Sequence, residues 1–244
     1  CTGRYHFLFL PMPMVHWPDS MSTYLAEEAI LFSNDAFGQH LATKERFDDE
    51  IGLERLLERA GNYYANIVLP FGAQVNKVLA EAAQLSIRMI CPSHGVILRS
   101  YIPQMLEKYK KWANYESDED RAVVIYDTMW GSTRILAERI AADFESRGVH
   151  AKRIDLAKTH VSEAISDVLE ARYIAVGSPT LNRNVMPTVA AFTTYLKGLA
   201  PKNRMGLAFG SYGWSGESIA QIEALLRDEC GYEMMESVKA VYRP

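Results

Sequence analysis

The sequence has 244 residues, 48% of them apolar and 23% charged, with a formal net charge of −4. That balance excludes a disordered chain and allows one large domain or two small ones. Acidic residues outnumber basic ones 30 to 26 with no basic stripe, and no apolar run reaches the ~18 residues of a membrane span, so neither nucleic acid nor membrane is an expected partner.

Three scattered cysteines, Cys1, Cys91 and Cys230, read as free thiols of a cytoplasmic protein rather than as a disulfide framework. Residue 1 is Cys and no charged-then-apolar leader follows, so the sequence reads as processed or as a stretch of a longer protein. Tyr5 to Leu10 predicts a buried strand. Pro11, Pro13 and Pro18 then impose irregular backbone around His16, because each fixes φ and lacks a donor. Glu28 to Phe32 predicts a strand running into Ser33-Asn34-Asp35, and Ile87 to Cys91 another running into Pro92-Ser93-His94-Gly95. Between them, Leu53 to Ala60 and Ala73 to Leu85 carry apolar residues at helical spacing, and Ile102 to Trp112 predicts an amphipathic helix. Glu116 to Arg121 is six polar or charged residues and is the best linker candidate, giving domains over 1–116 and 117–244.

Beyond it the rhythm changes. Strands are expected at Ala122 to Tyr126, His150 to Ile154, Tyr173 to Val176, Met205 to Phe209 and Met234 to Val241. Helices are expected at Ser132 to Arg147, Val161 to Leu169, Pro187 to Leu199 and Glu217 to Glu229. Strand alternating with helix predicts an α/β fold with a parallel, doubly wound sheet. Ligands of such sheets bind beyond the carboxyl ends of the strands.

Three loops at those ends carry suitable chemistry. The first is Thr128-Met129-Trp130-Gly131-Ser132-Thr133, leading straight into a helix. A helix N-terminus offers unpaired N–H groups to a phosphate, and hydroxyls add donors. No Lys follows the Gly and no Gly-x-Gly-x-x-Gly occurs, which excludes the nucleoside-triphosphate loop and the dinucleotide turn. The second loop holds Pro179, Thr180, Leu181, Asn182 and Asn184, and the third Ser211, Tyr212, Gly213, Trp214, Ser215 and Gly216. Aromatics beside flexible backbone can sandwich a planar ring; closing the sheet end is the plainer role for Tyr212 and Trp214. This half resembles a flavodoxin-type domain. The resemblance implies FMN, with its phosphate on Thr128 to Thr133 and its ring between the loops at 179–184 and 211–216. The sequence stops at Pro244 after the fifth strand, so the last helix of that fold is expected to be absent.

In the first half, His16, Asp35 and His94 each follow a strand or apolar run, and imidazole with carboxylate suits iron, manganese or zinc. Each alone has a plain structural role available. The strings around them are His-Trp-Pro-Asp-Ser-Met, Phe-Ser-Asn-Asp-Ala-Phe-Gly-Gln-His and Cys-Pro-Ser-His-Gly. In that order, and followed by an FMN-type half, they resemble the flavodiiron proteins, which join a metallo-β-lactamase-like αββα domain holding two irons to a flavodoxin domain. The resemblance implies that His16 and His94 each ligate one iron and that Asp35 bridges both. It further implies reduction of oxygen to water or of nitric oxide to nitrous oxide. The electron donor would be a rubredoxin-like protein or a reduced deazaflavin coenzyme. A head-to-tail homodimer or homotetramer would bring the flavin of one subunit to the irons of the next.

The family's His-x-Glu-x-Asp-His motif does not occur, and His6 and His40 lack its acidic spacing. The sequence therefore reads as the C-terminal two-thirds of such a protein. Asp19 could orient an imidazole or cap a loop. His40 could line the pocket or be merely exposed, Tyr63 and Tyr64 could donate hydrogen bonds or pack a helix, and Cys91 reads as a buried filler. The alternative function is an FMN electron carrier whose lactamase-like half binds no metal. A zinc hydrolase fits less well, since it has no use for the FMN loops.

Overall fold

The computed structural model describes residues 3–244, so the expectation for Cys1 lies outside the described residues. The chain divides into two compact units, one up to Asn114 and one from Tyr115 to Pro244.

The first unit is built on a four-stranded sheet, β1 (Phe7–Pro11), β2 (Met21–Leu25), β3 (Ile30–Asn34) and β4 (Met89–Pro92), paired in that order. β2 runs antiparallel to β1 and β3, and β4 lies parallel to β3. Hence β1, β3 and β4 point the same way and deliver their following loops to one edge. The sequence reading missed β2, because Ser22 and Thr23 dilute its apolar content; alternation with Tyr24 and Ser22 buried defines it in space. Between β3 and β4 lie α1 (Asp48–Ile51), α2 (Leu53–Tyr63) and α3 (Gly72–Ala82), and α4 (Ile102–Ala113) closes the unit. α2 passes into a π-helical turn over Tyr64–Val68, an irregularity that recurs near functional sites. Tyr64 and Tyr109 pack edge to face beside it and Trp112 lies tilted against both, with ring centroids 5.1–5.6 Å apart.

The other face of this sheet is open. Phe9, Thr23, Phe32 and Cys91 are opposite one another in register, and Phe9 is 58% and Phe32 44% exposed. Contiguous exposed apolar surface drives association. The 244-residue chain by itself is therefore expected to sediment as concentration-dependent oligomers. The double variant Phe9→Ser, Phe32→Ser should shift it to monomer; a monomer at every concentration in both proteins would contradict this.

The second unit is a parallel sheet in the order β10-β8-β7-β5-β6. Its strands are β5 (Asp118–Tyr126), β6 (His150–Asp155), β7 (Ala171–Gly177), β8 (Met205–Tyr212) and β10 (Val238–Val241), while the two-residue β9 (Glu233–Met234) pairs with the start of β8. The intervening helices are α5 (Ser132–Ser146), α6 (Val161–Val168), α7 (Pro187–Leu199) and α8 (Glu217–Ala224). α5 covers one face, packing Leu136, Ile140 and Phe144 on Val124, Tyr126, Ala175 and Phe209. Val123, Ile125, Ile174 and Val176 are buried on the other face. Burial on both sides explains why these strands lack alternation.

Four expectations are corrected. The strand expected over 5–10 is β1, but it is not buried: it edges the sheet, with Leu8 46% and Phe9 58% exposed. Glu116 to Arg121 is not a linker throughout: β5 begins at Asp118, whose N–H donates to Glu170 O at 2.8 Å. Arg121 pairs with Glu170 at 2.8 Å, so the charges face water while the backbone joins the sheet. The helix expected over 217–229 is α-helical to Ala224 and π-helical over Leu225–Glu229. The strand expected over 234–241 is two short strands. No helix among the described residues is long and apolar enough to cross a membrane.

Candidate functional site

His16, Asp35 and His94 follow the ends of β1, β3 and β4. The loop carrying His16 closes on itself, with Met12 N–H donating to Ser20 O and Met14 N–H to Trp17 O at 2.8 and 2.7 Å. Asn34 takes a left-handed φ of 53°, which turns the chain out of β3 and presents Asp35. Ser93 N–H donates to Asn34 O at 2.7 Å, tying the His94 loop to the same turn.

The three side chains come together. His16 Nε2 lies 3.5 Å from one oxygen of Asp35, and His94 Nε2 lies 3.4 Å from the other. Both distances exceed those of good hydrogen bonds, about 2.7–3.2 Å. They match the spacing of donors that share an ion, since two atoms roughly 2.1 Å from a metal and about 110° apart are about 3.4 Å from each other. Among the described residues no three His, Cys, Asp or Glu side chains surround a single point. The arrangement is instead one imidazole on each side of a shared carboxylate, two donors per position.

Tyr63 and His40 flank the same edge. The Tyr63 ring is 5.9 Å from that of His94 and 4.8 Å from that of His40. Its hydroxyl is buried without a hydrogen-bond partner, and burial, reinforced by the charge of Asp35, holds its pKa above the ordinary phenol value. Burial first, and the neighbouring His94 second, lower the pKa of His40. Tyr64 packs into the aromatic cluster instead, and Asp19 is exposed. Cys91 is half-buried, and burial raises its thiol pKa.

In the second unit the loops after β5, β7 and β8 meet where the chain reverses direction across the sheet, β6 lying on one side of β5 and β7 on the other. A cleft of about 180 Å³ is lined there by Thr128, Met129, Trp130, Ser132, Pro179, Thr180, Ser211, Tyr212, Gly213 and Tyr242. Tyr242 was not expected; it follows β10, and only the pairing of β10 with β8 brings it to the cleft. Gly131 has φ 90°, a conformation that favours glycine, and its N–H donates to Thr128 Oγ1 at 3.0 Å. Thr133 points inward, its hydroxyl 3.0 Å from that of Ser211, so it joins two loops rather than lining the cleft. Leu181 and Asn184 exchange main-chain hydrogen bonds at 2.8 and 2.9 Å, closing a small turn around Asn182 outside the lining. Gly216 packs beside the Tyr212 ring, Ser215 hydrogen-bonds Glu217, and Trp214 is 94% exposed. A neutral cradle of hydroxyls at a helix start with aromatic walls fits a phosphate joined to a flat ring.

A flavodoxin-like parallel sheet and a lactamase-like unit, the latter with a histidine–carboxylate–histidine edge, make this a two-part protein of the flavoprotein class. Residues 124–240 match the flavodoxin family model, and residues 2–95 match that of the ODP family beta lactamases. A nitric oxide reductase of Moorella thermoacetica is 42% identical over 92% of this chain and 57% of its own length. The structure of rubredoxin oxygen:oxidoreductase from Desulfovibrio gigas is similar with a TM-score of 0.93 at 38% identity, over 98% of this chain and 60% of that one. The flavodiiron protein of Giardia intestinalis gives 0.93 at 33% identity over the same shares. Along nearly its whole length the chain is similar to flavodiiron proteins, and it spans 50–60% of the length of these and other relatives.

Proposed function

We propose that this chain is the FMN-binding and half-site portion of a flavodiiron oxidoreductase that reduces oxygen or nitric oxide, its lactamase-like part lying within 1–116 and its FMN part within 117–244. The observation that carries the reading is the carboxylate of Asp35 set between two imidazoles at 3.4 and 3.5 Å. Two irons would supply the site that binds and reduces the gas, and FMN would supply electrons to it one at a time.

The residues have separable tasks. His16 and His94 would each lend an imidazole nitrogen to one metal position, and Asp35 would lend a carboxylate oxygen to each. Two donors per position are fewer than a stable iron site requires, so the remaining ligands belong to sequence beyond these residues. Tyr63 Oη keeps its proton and can give a hydrogen bond to an oxygen atom placed at that edge. Thr128 and Ser132 would hold the phosphate of FMN, and Tyr212, Met129 and Trp130, which line the same cleft, would wall its ring. The donor is a rubredoxin-like protein or a reduced deazaflavin, and the assembly is a head-to-tail homodimer or homotetramer.

Two measurements test this. The full-length protein should carry about two irons and one FMN per subunit and consume oxygen or nitric oxide with a reduced donor; flavin without iron would favour a plain electron carrier. The double variant Thr128→Ala, Ser132→Ala should bind FMN at least about 100-fold more weakly in a fluorescence titration, because each hydroxyl bond to a charged group contributes about 1.5–3 kcal/mol. Unchanged affinity would remove the phosphate assignment.

A further inference from the structure

Gln39 is a polar residue buried to 1% exposure between two of the loops at the metal-type edge. Two of its hydrogen bonds cross to the His94 loop, and two more, one of them from Leu41 N–H to Gln39 O at 3.0 Å, brace its own loop. Its Nε2 donates to Phe37 O at 2.5 Å, and its Oε1 accepts from Val96 N–H at 2.8 Å. Its own N–H donates to His94 O at 3.1 Å. The amide thus spans from two residues after Asp35 to two residues after His94.

Both ends of this strap are shaped for it. Phe37 holds φ at 65°, and its N–H donates to the hydroxyl of Tyr109, itself buried in α4, at 2.9 Å. Gly95 holds φ at 88°, and a Cβ there would stand 2.2 Å from Gln39 Oε1 and 2.9 Å from Gln39 O. Glycine is required because the side chain passes against the backbone. His94 has a side chain 51% exposed and lies beyond the end of β4, so neither a strand nor close packing on all sides holds it. Its backbone is held by Gln39.

We propose that Gln39 is a positioning residue: by bonding the loop of Asp35 to the loop of His94, it sets the spacing of that carboxylate and that imidazole. The inference rests on the metal reading above and assigns Gln39 a site-selective effect, on the His94 side and not the His16 side. An amide suits the role because one side chain of this length both donates and accepts. Leucine keeps the volume and does neither, and glutamate keeps the acceptor alone.

The experiment uses the full-length protein loaded with iron and FMN, with variants Gln39→Leu, Gln39→Glu and Gly95→Ala. Iron per subunit and its rate of loss to a ferrous chelator are measured, together with FMN content and melting temperature. Outer contacts of ligands typically control metal affinity by 10–100-fold. Gln39→Leu should therefore release one iron roughly 10- to 100-fold faster, with the second iron and the FMN unchanged and Gln39→Glu in between. Gly95→Ala acts on the same strap and should release the same iron faster; with Gln39→Glu it carries the comparison if Gln39→Leu does not fold. Wild-type release of both irons in every variant, or equal acceleration of both, overturns the proposal, as does a lowered melting temperature alone. If the wild-type protein takes up no iron, the proposed function fails separately. The positioning claim is then decided by histidine ring NMR: a shifted or broadened His94 signal in Gln39→Leu with His16 unmoved supports it, and unmoved signals or equal changes at both overturn it.

Discussion

Replacing Asp35 by Ala in the full-length protein is expected to abolish gas reduction and strip the metal while leaving the flavin spectrum intact. Both imidazoles face this carboxylate, at 3.5 and 3.4 Å. Its removal takes one donor from each position and leaves nothing to hold the two together. Loss of an outer contact alone costs about 10–100-fold in metal affinity. Loss of a ligand shared by two ions should exceed the upper end of that range, and turnover should fall by at least about 100-fold. The cleft proposed for FMN lies in the other compact unit, so flavin content and absorption should not change. Turnover within threefold of wild type, with both irons retained, would defeat the assignment. The variant Asp35→Asn keeps one oxygen and should retain part of the metal, on one side.

Replacing Asp48 by Ala is expected to destabilise the first unit by roughly 3–5 kcal/mol. Asp48 is fully buried, and its carboxylate accepts four backbone N–H groups. Those of Asp49 and Arg99 reach Oδ1 at 2.9 and 3.2 Å, and that of Tyr101 reaches Oδ2 at 2.7 Å. The N–H of Ser100 is shared, 3.2 Å from Oδ1 and 3.1 Å from Oδ2. Tyr101 is the cap of α4, so Asp48 serves as the N-terminal anion of a helix that begins some fifty residues later. Alanine would leave these donors buried and unpaired. Because α4 also carries Tyr109, which holds Phe37, the metal-type edge should loosen with it. Urea unfolding of the first unit checks the magnitude, with flavin fluorescence reporting the second unit independently. A loss under about 1 kcal/mol would show that water replaces the carboxylate.

Much of this molecule is legible along the chain, because local chemistry sets it. The strands Ala122 to Tyr126 and Tyr173 to Val176 are uninterrupted apolar runs, and burial on both faces requires that composition. Pro187 at the first turn of α7 and Gly131 before α5 mark helix starts by their own backbone preferences. The loops that line the cleft were visible as glycines, hydroxyls and aromatics after successive strands. His16, Asp35 and His94 were visible through the strings around them, not through anything in the single residues. The charged stretch Asp118 to Arg121 misled, because side-chain polarity does not report whether the backbone beneath it is paired to a neighbouring strand.

What the linear order determined is which segments become strands, helices and chemically suited loops, since these depend on near neighbours and on burial averaged over a few residues. What only the tertiary structure decided is which distant groups meet. His16 and His94 share a carboxylate because β1, β3 and β4 run in one direction. Asp48 caps α4, Gln39 bonds Val96 and Tyr242 enters the flavin-type cleft for the same kind of reason. Each of these contacts closes a long loop of chain, and its geometry follows from strand direction and register, which no local pattern of residues encodes.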